Sequence, residues 1–490
     1  MNLPYHSRRD FLTRNALGIG GVALSWMLSQ QQTHASDKPH IPRKGHSFDL
    51  LARASHHAPQ AKAMISLFMH GGPSHIDLLD PKPALSKYSG KEFDGDIAYS
   101  FINRASKKLF GTPWKFQKHG ESGTEISELL PHISGIADDI CVVRSMHTNI
   151  NGHEPSIWFM NTGKSQPGRP ALGSWLTYGL GAESDNLPAY VVLSDPGGHP
   201  VDGVRNWSNG WLPPLYQGTV VRSKEPRILN LETPEHLRNG VQGHNLSFLR
   251  TLNQQHLDRH PGETDLEARI ASYELAARMQ SSASEALDLN QETEATKALY
   301  GLDQPETREY GTRCLIARRL IERGVRFVQL FLNGQPWDNH NTIRKALPKI
   351  CRRTDQPAAA LVKDLKARGL LDTTLVHWGG EIGRLPVTEN HGDPQKSGRD
   401  HNGQGFSMWL AGGGIKGGMT YGETDEFGHR AVYNPVNPND YQATLLHLFG
   451  IDHQSLFFHH NSQDKRFTDN PSARIVSEIL KHPFPTGSIA

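Results

Sequence analysis

The sequence has few cysteines, little net charge and no long apolar run, and each shortage excludes a class of protein. Three cysteines among 490 residues, widely spaced and without a C-x-x-C pair, encode no disulfide framework. We expect each to be a small buried apolar side chain. The formal charge of +2 provides no basic field for nucleic acid. No stretch reaches the roughly 20 apolar residues of a membrane span, so we expect none in the mature chain.

Dinucleotide-binding and phosphate-binding glycine loops of the G-x-G-x-x-G and Walker types are also missing, and the chain has no internal repeats. Histidine, glycine and proline are abundant instead, with 27, 47 and 31 residues. Many turns and many imidazoles are more typical of a loop-rich enzyme than of a helical bundle.

The first 35 residues look like an export signal. Ser7–Leu12 (SRRDFL) resembles a twin-arginine motif, and an apolar run with several glycines follows over Ala16–Leu28. Small residues at Thr33 and Ala35 suit signal peptidase. We therefore predict a signal peptide over 1–35, a linker over 36–60, and a periplasmic or extracellular protein. An N-terminal amphipathic helix is the alternative.

The rest of the chain alternates short apolar runs with helical patterns. Six runs are rich enough in β-branched and aromatic residues to be buried strands: Ala63–Met69, Asp139–Arg144, Ala189–Leu193, Val325–Leu332, Thr373–Trp378 and Phe406–Ala411. Helical spacing covers Glu125–Ala137, Asp265–Met279, Glu306–Arg323, Ala346–Arg368 and Asp440–Gly450. This alternation predicts a parallel sheet within one α/β domain over 61–490. The Gln-, Glu- and Leu-rich segment at about 233–323 is predicted to be a helical insertion.

Acids and histidines follow four of the predicted strands. In chain order they are His75 and Asp77, then His153, then Asp338 and His340, and finally Glu381, Asp400 and His401; the hydroxyl residue Thr148 precedes His153. Ligands of open α/β sheets bind at the carboxyl ends of strands, and mixed carboxylates and imidazoles are what a divalent ion needs. A hydroxyl residue beside a histidine, as at Thr148, indicates an activated or metal-ligated nucleophile. Solvated loops are the alternative interpretation.

The order of these residues resembles that of the alkaline phosphatase and sulfatase superfamily. More closely, the leader and the motifs GGPSHIDLLDPKP (71–83), WDNH (337–340), GGEIGR (379–384) and GRDH (398–401) resemble the sulfatase-like family DUF1501. This resemblance implies an α/β fold with a doubly wound, mostly parallel sheet flanked by helices, and metal ligands at its carboxyl edge. The implied ligands are Asp77, Asp338, His340, Glu381 and His401. The residues implied to support them are His75, His153 and Asp400.

The chain departs from the superfamily pattern at several of these positions. Catalytic members usually carry Asp-x-x-x-His and Asp-His-Gly, where this chain has Asp338-x-His340 and Glu381-Ile382-Gly383. The nucleophile position falls at Thr148 or Asn149, and no Cys-x-Pro-x-Arg is present to mature into a formylglycine. A typical sulfatase is therefore disfavoured.

The function expected from the resemblance is metal-dependent hydrolysis of a phosphate or sulfate ester, for example of a sulfated or phosphorylated carbohydrate. The ion would be zinc, calcium or manganese, with Thr148 or water as the nucleophile. Arg384, together with Arg144 or Arg399, would clamp the anionic group, since guanidinium matches its oxygens. A non-catalytic exported binding or assembly protein is one alternative. Phosphoryl transfer or isomerisation is another.

Overall fold

The computed structural model describes residues 48–100, 106–229, 231–238, 241–389, 393 and 395–482. The predicted signal peptide lies outside these residues. The strands are β1 (Ala63–Phe68), β2 (Phe116–His119), β3 (Thr124–Ser127), β4 (Ile140–Met146), β5 (Tyr190–Leu193), β6 (Thr219–Val221), β7 (Phe327–Phe331), β8 (Thr374–Gly379), β9 (Gly383–Arg384), β10 (His401–Asn402), β11 (Phe406–Ala411), β12 (Met419–Tyr421), β13 (Glu423–Thr424), β14 (Ala431–Tyr433), β15 (Phe458–His460) and β16 (Gln463–Lys465).

The α-helices are α1 (His75–Leu78), α2 (Pro83–Lys87), α3 (His153–Thr162), α4 (Leu172–Leu180), α5 (Val241–Arg259), α6 (Thr264–Leu287), α7 (Glu294–Leu299), α8 (Arg308–Glu322), α9 (Ile343–Ala367) and α10 (Pro438–Leu448). No helix within the described ranges combines the length and the apolar character needed to cross a bilayer.

Eight strands form one central sheet in the order β12-β4-β11-β8-β1-β7-β5-β6. The pairs on either side of β1 are parallel, whereas β11 runs antiparallel to both β4 and β8. The prediction of a mostly parallel sheet flanked by helices is confirmed. All six predicted strands are present, and the short edge strands β6 and β12 were not predicted.

Side chains of β1 alternate between two apolar cores, one on each face of the sheet. Ile65 and Leu67 pack in the core that includes α8 and α9, while Met64 and Phe68 pack in the core that includes α4 and α10. Strands buried on both faces read as continuous apolar runs, which is why β1 has no polar alternation. This arrangement fixes the strand ends from which the polar loops leave.

The prediction of a helix over Glu125–Ala137 is wrong. Its first part forms β3, which pairs with β2 in a hairpin, and its last part is a 3₁₀ helix over Ile133–Asp139. Pro131 lies between the two parts, and a proline removes a backbone donor and disfavours helical conformation in the residue before it.

The predicted helical insertion contains α5 and α6, and α6 contributes Leu275 and Met279 to the core. Buried ion pairs connect the segment after α6 to α8. Arg318 Nη2 lies 2.7 Å from Glu292 Oε2, and Arg319 binds the other oxygen of the same carboxylate. The three cysteines, Cys141, Cys314 and Cys351, are buried and unpaired, as expected.

Replacement of Glu292 by alanine is expected to lower the free energy of unfolding by about 3 kcal/mol, because it leaves buried guanidinium groups without that carboxylate. Urea titration would measure the loss. The control is Glu294→Ala, since the Glu294 side chain is 89% exposed in its pair with Lys297 and should change stability by less than about 0.5 kcal/mol. Equal effects of the two changes would contradict the role given to Glu292.

Candidate metal centre

Loops after three strands of the central sheet bring acids and histidines together at its carboxyl edge. Asp338 and His340 follow β7, Glu381 follows β8, and His153 begins α3 after β4. His401 lies in β10, which pairs with β9 so that His401 is opposite Arg384. Residues far apart in the chain therefore meet because their strands end at the same edge.

The Asp338 carboxylate is the centre of this cluster. Its Oδ1 atom lies 2.9 Å from Nε2 of His340, 3.3 Å from Nε2 of His401 and 3.5 Å from Nε2 of His153. The Nε2 atoms of His340 and His401 are themselves 2.9 Å apart. We call Asp338, His153, His340 and His401 the histidine cluster.

Each imidazole of the cluster is held from behind through its other nitrogen. Nδ1 of His153 lies 2.6 Å from Glu381 Oε1, and Nδ1 of His340 lies 2.5 Å from Glu389 Oε2. Nδ1 of His401 lies 2.7 Å from the Asn151 carbonyl oxygen.

These three acceptors select one tautomer of each ring. An imidazole whose Nδ1–H donates to an oxygen presents Nε2 as a lone pair in its neutral form. The three rings of the histidine cluster are thus arranged as metal-binding histidines usually are, with a carboxylate or carbonyl fixing each ring.

Arg384 holds the Asp338 carboxylate in place. Its Nη2 donates to Asp338 Oδ1 at 2.5 Å and also to the Gly71 carbonyl, while Nε donates to the Gly72 carbonyl at 3.0 Å. Nη1 donates to the Arg399 carbonyl at 3.1 Å. Arg384 is fully buried, and four of its five N–H groups are committed to these partners.

Glu381 is anchored by the turn that follows β1. The Gly71 N–H donates to Glu381 Oε1 at 3.0 Å. Gly71 has a φ of +107°, and a Cβ atom there would lie 2.7 Å from the Asp338 backbone nitrogen. Only glycine fits this close approach, which explains the Gly-Gly pair after β1.

The electrostatics of the histidine cluster favour a positive charge at its centre. Burial disfavours a charged His153, but hydrogen bonds to Asp338 and Glu381 raise its pKa to about 9. Burial opposes ionisation of Asp338, yet Arg384 and the three histidines hold the pKa of this carboxyl well below its usual range. Burial lowers the pKa of His401 to about 4. A carboxylate is thus ionised beside a ring that readily accepts positive charge.

The donor atoms fit a zinc-like ion. Two groups of three residues each place their donor atoms within 4.8 Å of one another. One group is His153, Asp338 and His401, and the other is His340, Asp400 and His401. Zinc bonds of about 2.0–2.1 Å place tetrahedral donors about 3.3 Å apart, and the distances from Asp338 Oδ1 to the three rings, 2.9, 3.3 and 3.5 Å, bracket that value. The Asp338 side chain is 20% exposed, so the cluster is open to solvent on one side.

The structure does not bring Asp77 or His75 into the cluster. Both oxygens of Asp77 bind Arg399, at 2.8 and 3.1 Å, and Ser74 donates to one of them at 2.6 Å. His75 Nε2 lies 2.8 Å from the Gly428 carbonyl oxygen. Asp77 therefore neutralises a buried arginine.

Other predicted site residues lie in or next to the histidine cluster, but in roles that differ from those expected. His153, expected as a supporting residue, points Nε2 at Asp338, whereas Glu381, expected as a ligand, lies behind His153. Asp400 accepts the backbone N–H groups of Ser100 and His401, at 2.8 and 2.7 Å.

Thr148 and Arg144 make contacts away from the histidine cluster. Thr148 Oγ1 donates to the Ile150 carbonyl at 3.2 Å. Arg144 donates to the carbonyls of Leu79 and Glu125, at 2.8 and 3.3 Å. Arg399, the third predicted clamp, pairs with Asp77 as described above.

The family model described as "Protein of unknown function (DUF1501)" matches residues 61–480. The chain belongs to this DUF1501 family. No curated protein matches it.

Several solved structures resemble the DUF1501 chain weakly. Ps i-CgsB in complex with k-i-k-neocarrahexaose is 13% identical with a TM-score of 0.31, and the match covers 66% of each chain. PsFucS1 sulfatase from Pseudoalteromonas sp. is 13% identical, TM-score 0.33, over 67% of this chain and 63% of the other. Phosphonate monoester hydrolase SpPMH from Silicibacter pomeroyi is 12% identical, TM-score 0.30, over 72% of each. The chain thus spans less than two thirds of the length of the first two.

Sequence reasoning missed several residues of the DUF1501 site. Glu389 and Asn151 orient two of the histidines, and neither lies in a motif that marks this role. His70 lies two residues after the end of β1 and is fully buried, with no hydrogen-bond partner for either ring nitrogen among the described residues. Burial lowers the pKa of His70, against the effect of the nearby Glu381 carboxylate. Its place before Gly71-Gly72 was the one available signal.

Asp77→Ala is expected to lower the free energy of unfolding of the DUF1501 chain by about 3–5 kcal/mol, because it leaves Arg399 buried without its carboxylate. Chemical denaturation would measure the change. Asp372→Ala is the matched control, since the Asp372 side chain is 84% exposed and should contribute less than about 0.5 kcal/mol. An Asp77 variant as stable as the control would refute the ion-pair role.

Proposed function

We propose that this chain is an exported, metal-dependent hydrolase of phosphate or sulfate esters. One observation carries the proposal: three imidazole Nε2 atoms surround Asp338 Oδ1, and each ring is fixed by an acceptor at Nδ1. A buried cluster with this orientation has little purpose as a packing element, because its inward lone pairs need a cation or protons.

Asp338, His153, His340 and His401 would hold the ion. When bound, a divalent ion polarises an ester oxygen and stabilises the negative charge that develops on it. Other residues hydrogen-bond to these side chains and fix their orientation. Arg384 orients Asp338, Glu381 orients His153, and Glu389 orients His340, so that little reorganisation accompanies binding.

The donor set favours zinc over calcium. Calcium takes six to eight oxygen ligands, whereas imidazole nitrogens suit zinc and related transition metals. Three of the four donors in the histidine cluster are imidazole nitrogens. Calcium, one of the ions expected from the sequence, is therefore the least suitable of the three.

Water is the better-supported nucleophile. The Thr148 hydroxyl donates to the Ile150 carbonyl, and attack by Thr148 would first require this bond to break. Asp338 offers a solvent-facing approach, with 20% of its side chain exposed. We therefore assign the attacking oxygen to a water molecule on this open side, and give Thr148 a supporting role in the loop after β4.

Export of the protein remains part of this proposal. It is supported by the leader sequence, in which Arg8 and Arg9 precede an apolar run. Twin-arginine export carries folded proteins, which would allow the ion to be acquired before translocation. A periplasmic or extracellular location would also give the enzyme access to polymeric esters.

Metal analysis of the purified full chain tests the site. Wild type is expected to contain stoichiometric zinc or manganese, and both Asp338→Ala and His401→Ala should lose it. Glu389→Ala, which removes an orienting carboxylate and no ligand, should weaken metal affinity roughly 10- to 100-fold.

The matched control for these metal measurements is His75→Ala, since His75 is a buried histidine outside the cluster. It should keep its metal, with folding of each variant checked by circular dichroism. Metal retained by both ligand variants, or absent from wild type purified from metal-sufficient cells, would overturn the metal site.

Hydrolysis assays test the reaction and the nucleophile. The metal-replete wild type is expected to cleave members of an aryl phosphate, phosphonate and sulfate ester panel, and Asp338→Ala should abolish this. Thr148→Ala should retain activity within about tenfold, because loss of a single loop hydrogen bond is worth about 1 kcal/mol. A much larger loss that Thr148→Ser restores would identify Thr148 as the nucleophile.

The second candidate function is a non-catalytic exported binding protein that keeps a structural metal. Arg384 favours it, because an arginine with four committed N–H groups has little left to clamp an anionic ester. Metal-replete protein that is inert towards the whole ester panel, yet is retained on an immobilised anionic polysaccharide, would select this alternative.

A further inference from the structure

A cavity of about 420 Å³ lies outside the histidine cluster and shares no residue with it. Its walls include Lys82, Arg144, Tyr421, Glu423, Tyr433 and Asn434. We call it the tyrosine pocket. Its volume is within the range of small-molecule binding sites.

The tyrosine pocket and the histidine cluster lie along the same edge of the sheet. Arg144 is near the carboxyl end of β4, and Tyr421 ends β12, which is parallel to β4. In the sheet order β12-β4-β11-β8, three inter-strand spacings separate β12 from β8, or about 14 Å at the usual strand spacing. Glu381 of the metal site follows β8. A ligand of several linked units could therefore reach both places.

Two aromatic rings line the pocket. Tyr433 is 61% exposed, so its ring is accessible to a ligand from solvent. It lies directly opposite Glu423 in the β13–β14 hairpin, so both side chains are on the same face. Tyr421 is buried, with its hydroxyl donating to Glu478 at 3.2 Å. The pocket thus has one fixed ring and one ring open to a ligand.

Arg144 supplies a fixed hydrogen-bond donor. Its Nε and Nη2 donate to the carbonyls of Leu79 and Glu125, which locks the guanidinium. Among the described residues, none accepts from its Nη1. Asp80 Oδ1 lies 3.8 Å from Arg144 Nε and 3.0 Å from Lys82 Nζ, and Lys82 also donates to the Thr424 carbonyl at 3.2 Å.

The charges of the pocket balance. The cations Lys82 and Arg144 face the acids Asp80 and Glu423, so the pocket has no net attraction for an anion. It offers one rigid donor, Nη1 of Arg144, a carboxylate acceptor and an exposed aromatic face. Hydroxyl groups need both donors and acceptors, and the C–H face of a sugar ring packs on an aromatic ring.

We propose that the tyrosine pocket binds a neutral saccharide unit, so that the substrate is a carbohydrate whose charged ester lies at the histidine cluster. The identity of this substrate rests on the proposed function. The saccharide-binding property of the pocket does not, and it can be measured without catalysis.

Isothermal titration calorimetry of the full, metal-replete chain tests the proposal, with neutral hexasaccharides of glucose, mannose, galactose and xylose as probes. Wild type is expected to bind at least one of them. Tyr433→Ala should weaken that binding roughly tenfold or more, because the stacking surface is lost. Tyr433→Phe should retain it.

Two further variants serve as controls. Val432→Ala changes the neighbouring residue, which is 60% exposed and points to the other face of β14, and should bind like wild type. His401→Ala removes a histidine of the metal site and should also keep saccharide binding.

Three results would overturn the proposal: no binding of any hexasaccharide, unchanged binding in Tyr433→Ala, or a loss in His401→Ala as large as that in Tyr433→Ala. Failure of the proposed hydrolysis would instead appear as absent metal or an inert ester panel with saccharide binding intact. The two failures are therefore distinguishable.

Discussion

The pairing of Asp338 with Arg384 is the interaction on which the site depends. Arg384 is fixed by three backbone carbonyls, from Gly71, Gly72 and Arg399, before it reaches the carboxylate. The same carboxylate then organises three imidazoles. An acid left unpaired among buried groups would ionise only at a large cost, so Arg384 allows the Asp338 carboxyl to be ionised among the buried histidines.

Each of the other buried charges near the site also has a specific partner. Asp77 and Arg399 form a pair with two hydrogen bonds, and Glu381 accepts from both His153 and the Gly71 N–H. This separation of tasks explains why several acids share one edge of the sheet without repelling one another. Only Asp338 among them is partly open to solvent, which directs ligand access to the histidine cluster.

Much of the fold could be predicted because local pattern and tertiary role agree. The runs at β1, β7 and β8 are mostly apolar and buried at every position, since strands covered on both faces have no solvent-facing side. The segment around Pro131 was predicted wrongly because the same apolar spacing over a short stretch is also compatible with a strand followed by a 3₁₀ helix. Strand order and the antiparallel direction of β11 depend on contacts distant in sequence.

Residue type and spacing alone were enough to predict an α/β domain of the DUF1501 family with acids and histidines after its strands, because these features are encoded locally. Which of these side chains meet depends on the three-dimensional course of the loops. Asp338, His340 and His401 converge, His153 joins them in place of Glu381, and Asp77 is taken by Arg399. The physical reason is that a buried carboxylate binds the nearest available cation or donor, and that neighbour is set by loop geometry.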